Sequence, residues 1–102
     1  MNIQEMMRQA KRLQSKMEKI REEAGQRTVE GTAGGGMVTV TINGKNEVLS
    51  VVIDPEVVDR DEVDMLQDLV VAATNQAIGR AQEMMESEMS KVTGGMPIPG
   101  MF

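Results

Sequence analysis

Apolar side chains in the first 24 residues recur at Ile3, Met6, Ala10, Leu13, Met17, Ile20 and Ala24, in alternating steps of three and four. A strict heptad repeat makes a helix with a narrow apolar seam, suited to lie against another helix rather than over a broad sheet. At about 1.5 Å per residue the seam is roughly 36 Å long. A small sheet and half of a second helix cannot cover that length, so the seam predicts association with a second copy of the chain. Gly25 follows the last seam residue and suits a left-handed C-terminal position, so the helix is expected to end there.

Beyond Gln26 the period changes to alternation, first at Thr28, Val29 and Glu30, then over Met37–Ile42, then over Val48–Ile53. These read as three strands. Asn43-Gly44, followed by Lys45 and Asn46, has hairpin turn chemistry between the second and third. Gly31 and the run Gly34 to Gly36 are expected to separate the first from the second by a flexible or bulged turn. Alternation in the second strand puts Val38, Val40 and Ile42 on one face and Met37, Thr39 and Thr41 on the other.

Asp54-Pro55 stops the third strand, and Asp59, Asp61, Glu62 and Asp64 gather before a long helical pattern that runs to about Val92. Asp59 and Glu62 have capping-box spacing, and further carboxylates suit the positive end of a helix. The wider stripe at Val63, Leu66, Leu69, Val70 and Ala73 is expected to cover the sheet. The part from Ala77 onward, including Ala81, Met84 and Met85, is expected to extend toward the first helix. The fold class is thus α+β: an N-terminal helix, a three-stranded antiparallel sheet and a long C-terminal helix. It forms a single domain over residues 1–93. Residues 94–102 read as a flexible Gly/Pro/Met tail, or as a short peptide whose Met96, Ile98, Met101 and Phe102 order against a partner.

Composition removes most chemistry. The 102 residues, enough for one core, include no Cys, His, Trp or Tyr, and the single Phe is residue 102. A disulfide, a thiolate nucleophile, an imidazole base and a nitrogen–sulfur zinc site are therefore excluded. Stacking of bases on aromatic rings is improbable as well. Ser15, Ser50, Ser87 and Ser90 have no convincing base beside them, so no enzymatic activity, cofactor or small-molecule substrate is expected. The acidic stretch DPEVVDRDEVD lacks the glycine and the twelfth-position glutamate of a calcium loop, and no metal site is expected. Gly34 to Gly36 lead into a strand without the Lys-Ser/Thr of a phosphate loop. The N-terminus resembles no signal sequence and no run of 18 apolar residues occurs, so a soluble cytoplasmic protein without membrane contact is expected. The 11 Met residues supply packing where aromatic residues are lacking.

Charge is uneven. Six of the 11 basic residues, Arg8, Lys11, Arg12, Lys16, Lys19 and Arg21, lie in the first helix, giving residues 1–21 a net charge of +4 and the remainder −9. Arg8, Arg12 and Lys16 follow at steps of four and Lys19 at three, so like charges are neighbours and repel. A phosphate backbone along this ridge would relieve the repulsion and release counterions. A solvated coiled-coil face is the other reading.

The strings MMRQAKRLQSKM, GTAGGGMVTVTING, VVIDPEVV, MLQDLVVAATNQAIGRA and GGMPIPGMF, in this order over the whole chain, resemble the YbaB/EbfC family of small bacterial nucleoid-associated proteins. The resemblance implies a homodimer whose sheets pack together while helices project as paired arms that bind double-stranded DNA in the nucleoid. It makes Arg8, Lys11, Arg12, Lys16 and Lys19 the candidate DNA-binding residues, docking mainly to phosphates with low sequence specificity. The order helix, strands, helix is also similar to prefoldin subunits, which makes a chaperone-like or adaptor module the alternative.

Overall fold

Residues 2–92 are described in the computed structural model of the chain; the tail expected over residues 94–102 lies outside them. Helix α1 spans Ile3–Gly25, strands β1, β2 and β3 span Thr28–Ala33, Val38–Asn43 and Val48–Ile53, and helix α2 spans Val63–Val92 after a single 3₁₀ turn at Pro55–Val57. The strands form an antiparallel meander in the order β1-β2-β3, as the alternation predicts. A bulge between β2 and β3 falls at Thr41/Ile42, beside the hairpin turn at Asn43–Asn46. The molecule is elongated, 70 × 19 × 16 Å.

The core lies between the sheet and α2. Val38, Val40 and Ile42 are fully buried and face Ala73, Ala77 and Ala81 of α2. Their cross-strand partners in β1 on that face are Ala33, Gly31 and Val29. The small residues let helix and sheet approach unusually closely. At Gly31 the approach is backbone to backbone: a Cβ there would lie 2.1 Å from the Ala73 carbonyl oxygen and 2.4 Å from the Ala77 amide nitrogen. Gly31 is therefore not part of the connection expected from the sequence. It sits inside β1 because only a residue without a side chain fits under α2. The left-handed turn is left to Gly34, Gly35 and Gly36, all at positive φ.

Two further local readings are corrected. Gly25 is buried within the last turn of α1 rather than left-handed beyond it, and Gln26, at φ −89° and ψ −11°, is the C-cap. The hairpin turn lies over it: a Cβ on Gly25 would lie 2.9 Å from the Lys45 Cε, and a Cβ on Gly44 would lie 2.5 Å from the Ala24 carbonyl oxygen and 2.9 Å from the Gly25 Cα. Asp59 does not close a capping box on α2. Its carboxylate accepts from the Asp61 amide at 2.9 Å, forming a turn that ends before the helix starts at Val63. At the other N-terminus, Asn2 caps α1 by accepting from the Gln4 amide at 2.8 Å.

The close approach at Gly31 yields a sharp contrast. Gly31→Ala is expected to lower stability by about 2–4 kcal/mol, since an overpacked backbone contact has no rotamer to relax into. Gly35→Ala, facing open space at φ +67°, is expected to cost only about 1 kcal/mol of left-handed strain. Urea unfolding of the two variants measures both.

Candidate nucleic-acid interface

Helix α2 outruns the sheet and provides the base of an arm. Past Ala81, Met85 meets the Gly44 turn beside Ala24 and Gly25, and Met89 is buried and shares a cleft with Arg21. Successive turns of α2 thus meet successively earlier turns of α1, and the two helices run antiparallel. Cover on α1 fades in step with α2: Ala24 and Gly25 are buried, Ile20 and Met17 half-buried, and residues 2–16 are exposed throughout. The first four turns of α1 project beyond the rest of the described chain.

Arg8, Lys11, Arg12, Lys16 and Lys19 all lie on this helix and all are exposed. Counted at about 100° per residue, the ridge of Arg8, Arg12, Lys16 and Lys19 centres about 130° from the seam in one direction, and Lys11 lies about 130° from it in the other. The structure therefore brings the five together as a cationic back to the helix, with the apolar seam on the front.

Of the six other cations four are engaged, while Arg60, in the acidic stretch before α2, is exposed and makes no ion pair among the described residues. Arg27 and Lys91 both pair with Glu88, the Lys91 Nζ at 3.1 Å, and Lys45 pairs with Glu22 at 3.3 Å. Arg80 donates to the Glu30 carbonyl at 2.8 Å. Each of these four fastens one element to another or closes a helix end. Among the described residues, by contrast, Arg8, Lys11, Arg12, Lys16 and Lys19 make no ion pair and no side-chain hydrogen bond. Arg21, outside the residues chosen from the sequence, is equally free; it lines the cleft of about 320 Å³ with Gly44, Ala81, Met85 and Met89. Its position next to the seam residue Ile20 is the signal that sets it apart from the ridge.

The sheet contributes a second uncovered surface. The edge of β1 is occupied by α2, where the Gln76 Oε1 accepts from the Thr32 amide at 2.7 Å and Arg80 holds the Glu30 carbonyl. At the opposite edge, β3 is exposed along most of its length although it reads VLSVVI; Val52 is 63% exposed and Leu49 55%. Among the described residues no group of carboxylates could hold a metal ion. No helix there is long and apolar enough to cross a membrane.

The Glu88 carboxyl is held below the ordinary carboxylate value of 4.5, first by the Lys91 hydrogen bond and then by the charges of Lys91 and Arg27, against the opposing effect of burial. A lowered carboxylate adds stability above its unfolded value and loses it as pH falls through the folded one. The stability advantage of the wild type over Glu88→Gln should be full at neutral pH, shrink below pH 4.5, and vanish in stronger acid. Paired denaturation curves across that range measure it.

A family model, described as the YbaB/EbfC DNA-binding family, matches residues 1–96. The chain is 54% identical over 101 residues to a nucleoid-associated protein of Caldanaerobacter subterraneus subsp. tengcongensis, covering 99% of this chain and 91% of that one. It is 48% identical to a nucleoid-associated protein of Pelotomaculum thermopropionicum, covering 99% and 96%. An uncharacterized Helicobacter pylori protein of known crystal structure has the same fold, with a TM-score of 0.79 at 19% identity over 92% of this chain and 99% of that one.

Proposed function

The chain belongs to the YbaB/EbfC DNA-binding family, and we propose that it binds double-stranded DNA as a homodimer, mainly through phosphates and with little preference for base sequence. The observation that carries this reading is the division of the cations. On the body of the protein Arg27, Lys45, Arg80 and Lys91 are engaged in ion pairs or backbone contacts and Arg60 sits singly among carboxylates, whereas Arg8, Lys11, Arg12, Lys16 and Lys19 stand together and unpaired on one side of a projecting helix. Unpaired cations in a row repel one another, and neutralisation by phosphate removes that cost while releasing counterions. Long, flexible lysine and arginine side chains without neighbouring aromatic groups suit backbone contact better than base reading.

The homodimer reading rests on β3. An apolar strand exposed at an open sheet edge is an association site unless something covers it, and the opposite edge is already closed by Gln76 and Arg80. A second copy placed against β3 would put the two sheets together and leave both arms free to hold one duplex. The protein then acts in the nucleoid, in the cytoplasm of a bacterial cell, as a binding protein with no catalytic step, cofactor or small-molecule substrate. The exposed Ile3, Met6 and Met7 at the tip of the arm are what a clamp-like chaperone would use instead. That alternative predicts capture of unfolded protein without a salt-dependent affinity for DNA.

Changing Arg8 and Arg12 together to Gln keeps good helix formers in place. The double variant should weaken binding on every duplex tested, and the slope of log affinity against log salt should flatten by about 0.9 for each phosphate left without its cation. Unchanged affinity and slope would reduce the ridge to a solvated face. For the dimer, sedimentation should give twice the 11.2 kDa chain mass. Val52→Asp, at a position exposed in the protomer, should yield a folded monomer with an unaltered circular dichroism spectrum.

A further inference from the structure

The apolar front of the arm has no partner among the described residues. Helix α2 lies antiparallel on the base of the seam, where Ala24 is buried and Ile20 and Met17 are half-buried. Beyond Met17 the seam is open, and Ile3, Met6, Ala10 and Leu13 form an exposed stripe about 15 Å long. We propose that this stripe pairs with the same stripe of a second copy belonging to another dimer. The two arms lie antiparallel, so that Ile3 of each meets Leu13 of the other and Met6 meets Ala10. Paired in this way they turn their cationic backs to opposite sides, where each can take a separate duplex. The pairing does not depend on the DNA reading; the bridging of two duplexes rests on it.

Register, charge and the packing already present in the fold favour this occupant. Steps of three and four are the spacing of a helix that packs on another helix along a narrow seam, and α2 fills the base of this seam in antiparallel sense. A second α1 laid antiparallel continues that packing over the open part, and the contact is two-fold symmetric, so it closes on itself. In the heptad frame set by Ile3 and Met6, the positions flanking the stripe are Asn2, Met7, Gln9 and Gln14, all uncharged. Glu5, Arg8, Lys11 and Arg12 fall on the positions turned away from a partner helix. In the antiparallel register Met7 and Gln9 each face their own counterpart, and the first charge on a flank, Lys16, meets only Asn2. An acidic helix or an anionic lipid surface would select cations along the flanks, and from Asn2 to Gln14 the flanks hold none. The stripe spans only about one and a half heptads, and residues 1–21 of each arm bring a net charge of +4. Pairing is therefore weak in the free protein and strengthens when the backs are screened by salt or neutralised by phosphate. DNA binding and pairing then promote each other.

The absence of cysteine makes the test direct. Full-length Ile3→Cys and Leu13→Cys proteins are mixed and mildly oxidised. The mixed disulfide should exceed either same-site disulfide about tenfold, because same-site pairs lie roughly 15 Å out of register. The linked species should sediment as two dimers. Without DNA, raising salt from about 0.01 M to about 1 M should increase the mixed product about tenfold, as the screening length falls from about 30 Å to about 3 Å. This measurement decides the pairing whether or not the protein binds DNA. For bridging, Met6→Gln with Leu13→Gln removes two apolar side chains that are 53% and 41% exposed in the protomer and keeps good helix formers. The double variant should bind a single duplex as the wild type does, yet lose most of the wild type's capture of a free duplex by a bead-bound one. Same-site disulfides in equal yield, a mixed disulfide confined to one dimer, or capture unchanged by the double substitution would overturn the proposal. So would amide exchange over residues 3–13 as slow as in the core of α2 in dilute protein at low salt, which would assign the seam to a segment of the same chain.

Discussion

Everything else in the molecule depends on how closely α2 can approach the sheet. Without aromatic residues in the core, apolar burial has to come from tight contact between small surfaces, and dispersion falls off steeply with any gap. Gly31 under Ala73 and Ala77 removes the gap, and the alanine ridge lets Val38, Val40 and Ile42 bury completely. That seating fixes the line of α2. Since the helix runs for 30 residues, its distal turns must emerge beyond the hairpin, where Met85 and Met89 take hold of the last turns of α1. The direction of the arm is thus set by a contact at the centre of the sheet.

The seating also divides the molecule's cations. Arg80 and Gln76 reach the β1 edge because α2 lies directly above it, and Arg27, at the end of α1, meets Glu88 because the two helices run antiparallel. Fastening roles are filled by residues near element junctions. The ridge from Arg8 to Lys16 lies beyond all of them, and no carboxylate from the sheet or α2 pairs with it or with Lys19. Its freedom follows from position along the arm more than from any local device. The acids within α1, Glu5, Glu18, Glu22 and Glu23, make no ion pair with it either.

Much of this is legible in the residue order because periodicity reports which side chains share a face. The step of three and four gives α1, alternation gives the β2 core positions, and the stripe from Val63 gives α2. What periodicity cannot report is how close a neighbouring element comes. Gly31 reads as a breaker until α2 is seen to lie on it; Gly25 reads as a helix stop until the Gly44 turn is seen to press there. Asp59 has the spacing of a cap yet bonds locally to the Asp61 amide, since short acidic side chains satisfy the nearest donor first. VLSVVI reads as a strand, but its exposure in the single chain is not visible in the residue order. The candidate ridge is visible as a run of charge, but its freedom from partners depends on where α2 ends, and the residue order does not show that.

The acidic balance of the whole chain looks unfavourable to the proposed DNA reading until charge is placed in space. Residues 54–68 hold seven carboxylates and one arginine, and they lie at the start of α2. From Asp68 to Val92 the helix runs about 36 Å, and the ridge projects further still along α1. At physiological salt the screening length is about 8 Å, so this acidic end and the basic arm are separated by several screening lengths. A phosphate near Arg8 or Arg12 senses the arm, not the net charge of −5. At the base of the arm, Glu88 and Glu22 are already paired with Arg27, Lys91 and Lys45. On this geometry a net negative protein presents a locally positive surface, and its acidic end turns a polyanion away from the body and toward the arm.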